Sequence, residues 1–481
     1  MVFDYSPYAF VVLAVLGAIT AYGIFASRRG IEKTSVEYFL GSRSLSTLEV
    51  GSSLFATGIA GLSIYGAFIG GTDESWLWYC ALAVVAALIL GFSFAPTYLS
   101  SRVLTVPGFF SLRFDERTAV TLSGLSIFFS VAVKIPLLLM FASWAIKNVF
   151  GWNTATSAGL VLVVVLIGLY TIVGGFSSVV RTHVLEAGII LVGIAAAATS
   201  TLVNSGRVLS VTTSCLMPDV SVSFAVGILI VFTWHWWFDQ FTVQRILAAR
   251  NIPSARRGAV LCAILIGVAV LLVGISSSMR GSSVAALVVS GDLLSRSIGS
   301  VVVLALLMAT LASEFQSTAT LFTLDFYKRL YADASEESLV LVGRLSTTLI
   351  VVLAIVAGST ISLVDERSET LLLQVPLHIV PPIVAVFGFS LFWQRASNKG
   401  ALCALLCGEL FGAVSLIARY VSGSDAWGGM PVINLFTLDP FVFGLISLLC
   451  SALILVAVSL LTEAPPLETT TYMSILRRKQ N

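Results

Sequence analysis

Thirteen apolar runs, each long enough to cross a bilayer as a helix, dominate this chain of 481 residues. A spanning helix needs about 20 mostly apolar residues. Hydrophobic residues make up 57% of the chain and charged residues 11%, with a mean hydropathy of +0.99. The sequence therefore predicts an all-α polytopic membrane protein of about 13 transmembrane helices. The predicted spans are residues 5–27, 47–71, 76–100, 119–146, 155–175, 184–204, 221–242, 258–279, 298–325, 338–364, 370–393, 400–420 and 438–461.

The basic residues are distributed unevenly between the two ends of these spans. With the N-terminus outside, nineteen of the 27 Lys and Arg residues fall on the inner face and six on the outer face. Because positively charged loops stay in the cytoplasm, we predict an inner-membrane protein with its N-terminus outside and its C-terminus cytoplasmic. Arg28 and Arg29 follow the first run without a small-residue cleavage site, so we expect this run to remain as a span. The net charge of +2 predicts no nucleic-acid partner.

Two of the predicted spans contain segments that interrupt a regular helix. In lipid every backbone amide must be satisfied, so a broken helix is tolerated only where it lines a cavity inside the protein. The second span carries paired glycines and hydroxyls over residues 56–63, and the seventh is polar and aromatic over residues 233–240. Close helix packing is the alternative role for the glycines. The two segments are five spans apart, which is the offset expected of an inverted repeat of five plus five helices.

Six segments, in order along the chain, resemble the sodium:solute symporter family, which has a LeuT-type core. The resemblance implies an extra N-terminal helix and linker (1–46), a first inverted repeat (47–204), a second (221–393), peripheral helices (400–461) and a cytoplasmic tail (462–481). The stretch over residues 170–182 is similar to an inner-face loop of the family. The segments that carry the resemblance are Tyr38–Leu45, Ala56–Gly66, Tyr170–Thr182, Gln240–Arg245, Ser317–Tyr327 and Phe392–Ala401.

The same resemblance implies a sodium site. Na⁺ prefers hard oxygen ligands, which unwound carbonyls and hydroxyls supply. Carried over to this chain, the site takes the carbonyls of Ala56, Ile59 and Leu306 and the side chains of Ala309 and Thr310. Ala309 stands where the family commonly has Ser or Thr, which predicts a weakened site, unless a water replaces the missing oxygen.

A second departure from the family pattern is His183, which stands where the family has Asp. The resemblance gives that position a role in the inward exit of the ion. An imidazole can carry a proton instead of attracting a cation; alternatively, His183 lies in the headgroup region. Coupling to Na⁺, coupling to H⁺ and uncoupled transport therefore all remain open. No cofactor is expected.

Ionisable residues within spans are costly and mark functional sites. Lys134 lies near the middle of the fourth span, close to Pro136, and Glu314 lies one turn beyond Thr310. Lys134 is predicted to face a solute carboxylate, to act as a fixed cation in place of sodium, or to pair with Glu314 or Asp239. Glu314 is either that partner or a proton carrier. The predicted solute cavity comprises Gly58, Ser63, Lys134, His235, Trp236 and Gln374.

These features predict a secondary active transporter, a solute:cation symporter for which the resemblance implies sodium coupling. An enzyme is not predicted, since no constellation of nucleophile, base and metal is present. Its partners are a small polar or carboxylated metabolite, imported by alternating access, and the lipid bilayer. A membrane solute sensor working with a separate signalling partner is the alternative from another class. The oligomeric state is left open.

Overall fold

The computed structural model describes residues 7–27, 34–68, 73–150, 156–205, 221–280, 293–360, 374–422 and 438–465. This part of the chain is helical, apart from short connections and one parallel β-bridge between Leu45 and Ala249. Nine of its helical segments are long and apolar enough to cross a membrane, and two shorter apolar helices, Phe10–Ala26 and Pro376–Phe392, accompany them. The predicted all-α membrane fold is confirmed, while the count of thirteen spans stays a prediction.

Eighteen α-helices are numbered here in chain order. They are α1 Pro7–Ser27, α2 Ser35–Leu40, α3 Thr47–Phe68, α4 Asp73–Ile89, α5 Ala95–Ser101, α6 Val106–Arg113, α7 Glu116–Phe129, α8 Ile135–Phe150, α9 Thr156–Ser205, α10 Val222–Thr233, α11 Gln240–Leu247, α12 Ile252–Arg280, α13 Leu293–Leu321, α14 Lys328–Leu330, α15 Glu336–Thr360, α16 Pro376–Phe392, α17 Asn398–Ser422 and α18 Pro440–Leu461. Four π-helical turns join neighbours among them: Leu90–Phe94, Ser130–Lys134, Trp234–Phe238 and Phe322–Tyr327.

Helix α13 lies at the centre of the bundle. Most of α13 lies in the span Ser297–Leu330, where 89% of an 18-residue apolar stretch is buried. The corresponding shares for the spans of α17 and α18 are 33% and 28%. Side chains from the π-turn Ser130–Lys134, from α9 and from α11 form polar contacts with α13. A helix enclosed on all sides can present polar groups to several partners without exposing them to lipid.

Helix α9 contains the fifth and sixth predicted spans, separated at Gly175. This residue has φ +52° and ψ −153°, which a residue without Cβ adopts at no steric cost. The residues that follow Gly175 are helical. The expected inner-face loop over residues 170–182 is therefore wrong in form, because a single glycine turns the chain without a loop.

Helix α3 is helical at every residue from Thr47 to Phe68, so the expected unwinding over residues 56–63 is also wrong in this structure. Its glycines are used for close packing instead. A Cβ atom on Gly51 would lie 2.8 Å from the carbonyl oxygen of Gly258, and one on Gly58 would lie 2.8 Å from the Trp236 ring. Small residues let helices in membranes approach closely, and here they favour an intact helix over a broken one.

Candidate functional site: a buried charge cluster at a broken helix

The interruption predicted in the seventh span is confirmed. After α10 the chain forms the π-turn Trp234–Phe238, Asp239 is extended (φ −84°, ψ 128°), and the helix restarts as α11. The Asp239 amide donates to the Trp234 carbonyl at 2.9 Å. Asp239 Oδ1 accepts from the Phe241 amide at 3.3 Å, and so caps the new helix. An aspartate is suited to this position because its side chain satisfies a backbone donor that the helix start leaves open.

Lys134 ends a second π-turn, Ser130–Lys134, which faces this break. Two residues later Pro136 has no amide hydrogen to complete the α-helical ladder, which agrees with a local change of helix type at this point. Lys134 Nζ lies 2.7 Å from Asp239 Oδ2 and 2.6 Å from Glu314 Oε1. The predicted ion pair is present, and Lys134 binds both candidate partners instead of one.

The three side chains of this ion cluster are nearly removed from solvent, with exposed fractions of 14% for Lys134, 6% for Asp239 and 4% for Glu314. The ammonium nitrogen also lies 5.0 Å from the ring centroids of Trp234 and of Phe241. Cation–π attraction adds to the ion pairs where water is excluded. The cluster therefore joins the fourth, seventh and ninth predicted spans through a single ammonium group.

Arg245 on α11 supplies a second buried cation. Its side chain is 1% exposed and interacts electrostatically with both Glu314 and Asp239. Two cations thus face two carboxylates, so the four charges balance within the membrane interior. Balance matters because an uncompensated buried charge costs several kcal/mol. The guanidinium also donates to Ser53 Oγ at 2.8 Å, to Ser313 Oγ and to the Phe241 carbonyl.

His183 lies beside Arg245 and is fully buried. Its Nδ1 atom is 2.7 Å from Ser53 Oγ on α3, and its Nε2 atom is 3.2 Å from the Ala309 carbonyl oxygen on α13. The Ala309 carbonyl can only accept, so Nε2 carries the ring proton. In the neutral imidazole, Nδ1 then accepts from the Ser53 hydroxyl, whose oxygen also accepts from Arg245. The alternative that His183 lies in the headgroup region is wrong, because the imidazole joins α3, α9 and α13 inside the bundle.

The residues predicted to hold sodium lie in the same region. Ala56 and Ile59 on α3 and Leu306, Ala309 and Thr310 on α13 are all buried. The Thr310 hydroxyl donates to the Leu306 carbonyl at 2.7 Å, and the Ser313 hydroxyl donates to the Ala309 carbonyl at 2.6 Å. The carbonyls of Ala56 and Ile59 belong to an unbroken helix. That these five residues bind a cation remains a prediction.

The predicted solute cavity is only partly assembled. Gly58 and Trp236 are in direct contact, and His235 packs on the ring of Trp236 with centroids 5.8 Å apart. The Ser63 side chain lies outside the described residues. Gln374 contacts other residues than these. Its Oε1 accepts from Arg419 on α17 at 3.3 Å, and its backbone carbonyl lies 2.8 Å from His378 Nδ1.

Sequence reasoning missed two participants. Arg245 enters the sequence interpretation only within the segment Gln240–Arg245, although its position just after a broken helix is a signal for a role there. Glu186 lies one turn beyond His183 within the sixth predicted span, where any acidic residue is unusual. It is fully buried, its Oε2 is 4.0 Å from His183 Nε2, and neither carboxylate oxygen accepts a hydrogen bond from the described residues.

Comparison with known proteins identifies the family of this chain. The family model for the sodium:solute symporter family matches residues 38–408. The chain belongs to the sodium:solute symporter family. It is a membrane transporter of this family and not an enzyme.

The similarity to individual relatives extends over nearly the whole chain. The sodium/glucose cotransporter 2 of Rattus norvegicus is 28% identical over 532 residues, covering 94% of this chain and 78% of the relative. The sodium/mannose cotransporter SLC5A10 of Bos taurus is 29% identical over 530 residues, with 94% and 86% covered. The substrate-bound, outward-open structure of a Na⁺-coupled sialic acid symporter superimposes with a TM-score of 0.73 at 18% identity, covering 95% and 98%. This likeness places the chain in the LeuT-type fold.

Proposed function

We propose that this protein is a cation-coupled symporter that imports a small, neutral, polar solute, with Na⁺ as the coupling ion. The observation that carries the proposal is the broken helix at residues 234–239, which places a carboxylate and a row of aromatic rings inside the bundle. Broken helices at membrane depth are how transporters of this type build a solute and ion site. Membership of the sodium:solute symporter family supports the choice of ion.

The contacts of the Lys134 ammonium group support this class of solute. Its ammonium group already contacts two carboxylates, at 2.7 Å and 2.6 Å, so it offers little to a carboxylated solute. A neutral polar solute fits the aromatic surface of Trp236 and His235 better, because rings pack on the apolar faces of polyols. The names of the relatives, which include cotransporters for sodium with glucose, mannose and myo-inositol, support a polyhydroxylated solute.

Proton coupling is the second candidate, and one observation favours it. Position 309, expected to contribute a hydroxyl to the ion, is a methyl group, and His183 Nε2 lies 3.2 Å from the carbonyl of the same residue. A neutral imidazole in this position offers a proton acceptor only when its hydrogen bonds to Ser53 and Ala309 rearrange. Sodium remains the leading candidate, since Thr310 and the carbonyl of Leu306 are both present.

Uptake by the purified protein in proteoliposomes tests the proposal. Radiolabelled glucose, mannose and myo-inositol are offered under an inward Na⁺ gradient, under an inward proton gradient with K⁺ replacing Na⁺, and under neither. We expect accumulation of at least one solute to require the Na⁺ gradient, and Asp239→Asn protein to lack it. Accumulation under the proton gradient alone would establish the second candidate. Failure of every solute and gradient in folded protein would contradict a symporter of this solute class.

A further inference from the structure

A cavity of about 850 Å³ opens where α5 ends and α12 begins, away from the charge cluster and the candidate cation site. Three arginines from three separate segments line it: Arg43 before α3, Arg102 after α5 and Arg250 before α12. The other lining residues are Leu99, Ser100, Ala249, Asn251, Ile252 and Pro253. Among these described lining residues there is no acidic side chain, so the cavity carries three positive charges without a local counter-charge.

The backbone holds these arginines in place. Arg43 and Arg102 both adopt left-handed conformations, with φ values of +51° and +56°. One nitrogen of the Arg43 guanidinium donates to the carbonyls of Arg102 and Val103 at 2.8 Å and 2.9 Å. Leu45 and Ala249 form the β-bridge that ties the first segment to the third. Non-glycine residues with positive φ carry strain and often occur at ligand clamps, and here they bring like charges together.

The like charges repel one another in this cavity. Partial burial, together with the neighbouring charge of Arg102, lowers the pKa of Arg43 from its ordinary value. An anion placed between the guanidinium groups relieves that repulsion, and phosphate oxygens match the donor geometry of arginine. The chemistry of the cavity therefore selects a phosphate group.

The position of the cavity indicates the source of that phosphate. Leu99 and Ser100 end the span Cys80–Ser101, and Ile252 and Pro253 begin the span Ile252–Leu272, so the arginines lie at the level of lipid headgroups. Further into the same two spans, Phe92 and Ile264 are 54% and 55% exposed, and the Arg256 guanidinium lies 6.0 Å from the Phe92 ring. Each of the two spans thus exposes an apolar side chain further into the membrane than the basic cavity.

We propose that this cavity binds the phosphate headgroup of an anionic phospholipid whose acyl chains follow the surface around Phe92 and Ile264. Basic pockets between helix ends are a recognised way for membrane proteins to select acidic lipids. The bound lipid would tie the segment before α3 to the segment before α12, which the Leu45–Ala249 bridge already joins. This site is independent of the proposed function and of the coupling ion.

Native mass spectrometry of the purified full chain tests the proposal, with phosphatidylglycerol or phosphatidylcholine titrated into the detergent solution. We expect retention of one phosphatidylglycerol in preference to phosphatidylcholine. Arg102→Gln/Arg250→Gln protein is expected to bind it more weakly by about fivefold for each arginine removed. The control, Arg117→Gln/Lys399→Gln, removes two exposed charges elsewhere and is expected to bind as the unchanged protein does.

Three results would overturn the proposal. The first is equal retention of the two lipids, and the second is an equal loss in the control pair. The third is stabilisation by inorganic phosphate, measured by thermal melting, that matches the stabilisation by phosphatidylglycerol at equal concentration, which would assign the cavity to a free anion. Arg250→Gln alone, at an exposed side chain that donates to Ser254 Oγ at 2.8 Å, provides a folded variant if the double variant is unstable.

Discussion

Helices α3 and α10–α11 were both predicted to break, and only one of them does. Helix α3 continues through Ala56–Ser63, whereas the chain between α10 and α11 forms a π-turn and then the extended Asp239. The difference lies in the hydrogen bonds that the side chains of each segment form with the backbone. Asp239 caps the restarted helix, whereas on α3 the Thr57 hydroxyl donates back to the Ser53 carbonyl and Gly58 allows close packing on Trp236. A break inside a membrane protein needs a replacement hydrogen-bond acceptor or donor as well as flexibility.

The two regions are also joined chemically. The Ser53 hydroxyl on α3 accepts a hydrogen bond from Arg245 on α11 and lies 2.7 Å from His183 Nδ1. Gly58 on α3 packs against Trp236 in the π-turn. The broken helix thus packs against the intact one. Changes to the charges around the broken helix should therefore cost more stability than changes to the packing of the intact one.

The largest effect is expected for Lys134→Met. The change leaves Asp239 and Glu314 buried without their shared cation, which should cost about 3–5 kcal/mol of stability. Thermal melting of the purified protein measures the loss. The double variant Lys134→Met/Glu314→Gln should regain part of it, because removing one carboxylate restores the charge balance between Arg245 and Asp239. Lys147→Met, at an exposed position on α8, is the control. No difference between the single and double variants would argue against the ion cluster.

Ser53→Ala tests the link between α3 and the two basic residues. It removes the acceptor of Arg245 Nε and the hydrogen directed at His183, in a site without solvent. An unsatisfied buried partner that is charged should cost about 3 kcal/mol, read as a lower melting temperature. Ser52→Ala, one residue earlier, changes a buried hydroxyl that takes no part in these bonds. Equal effects at the two serines would contradict the proposed network.

Gly58→Ala tests the packing of the intact helix on the broken one. The new Cβ atom would meet two atoms of the Trp236 ring at 2.8 Å and 3.1 Å, so the ring must shift. Overpacking of this kind should cost about 2 kcal/mol. Gly188→Ala, where a Cβ atom meets nothing within 4 Å, should leave stability unchanged or raise it slightly. If Gly58→Ala behaves like Gly188→Ala, then α3 does not support the π-turn as described.

The sequence predicted the membrane class, the break in the seventh span and the pairing of Lys134 with Asp239 or Glu314, because apolar length, an aromatic and polar segment, and buried charges are local signals. It did not predict that α3 stays intact or that a single glycine at 175 replaces a loop. Those outcomes depend on which side chains from other helices meet the backbone. The contacts of His183 with Ser53 and Glu186 likewise depend on how α3, α9 and α13 pack together.

The most direct test of sodium coupling is the Na⁺ concentration that half-saturates solute uptake into proteoliposomes, compared between the unchanged protein and Ala309→Ser. Restoring the hydroxyl that the family places at this position adds an oxygen beside Thr310, which we expect to lower that concentration by about tenfold, an effect of about 1.4 kcal/mol. Ala312→Ser, on the next turn of the same buried helix, is the control and should change it little. Solute uptake that does not depend on the Na⁺ concentration, in either the unchanged protein or Ala309→Ser, would contradict sodium coupling.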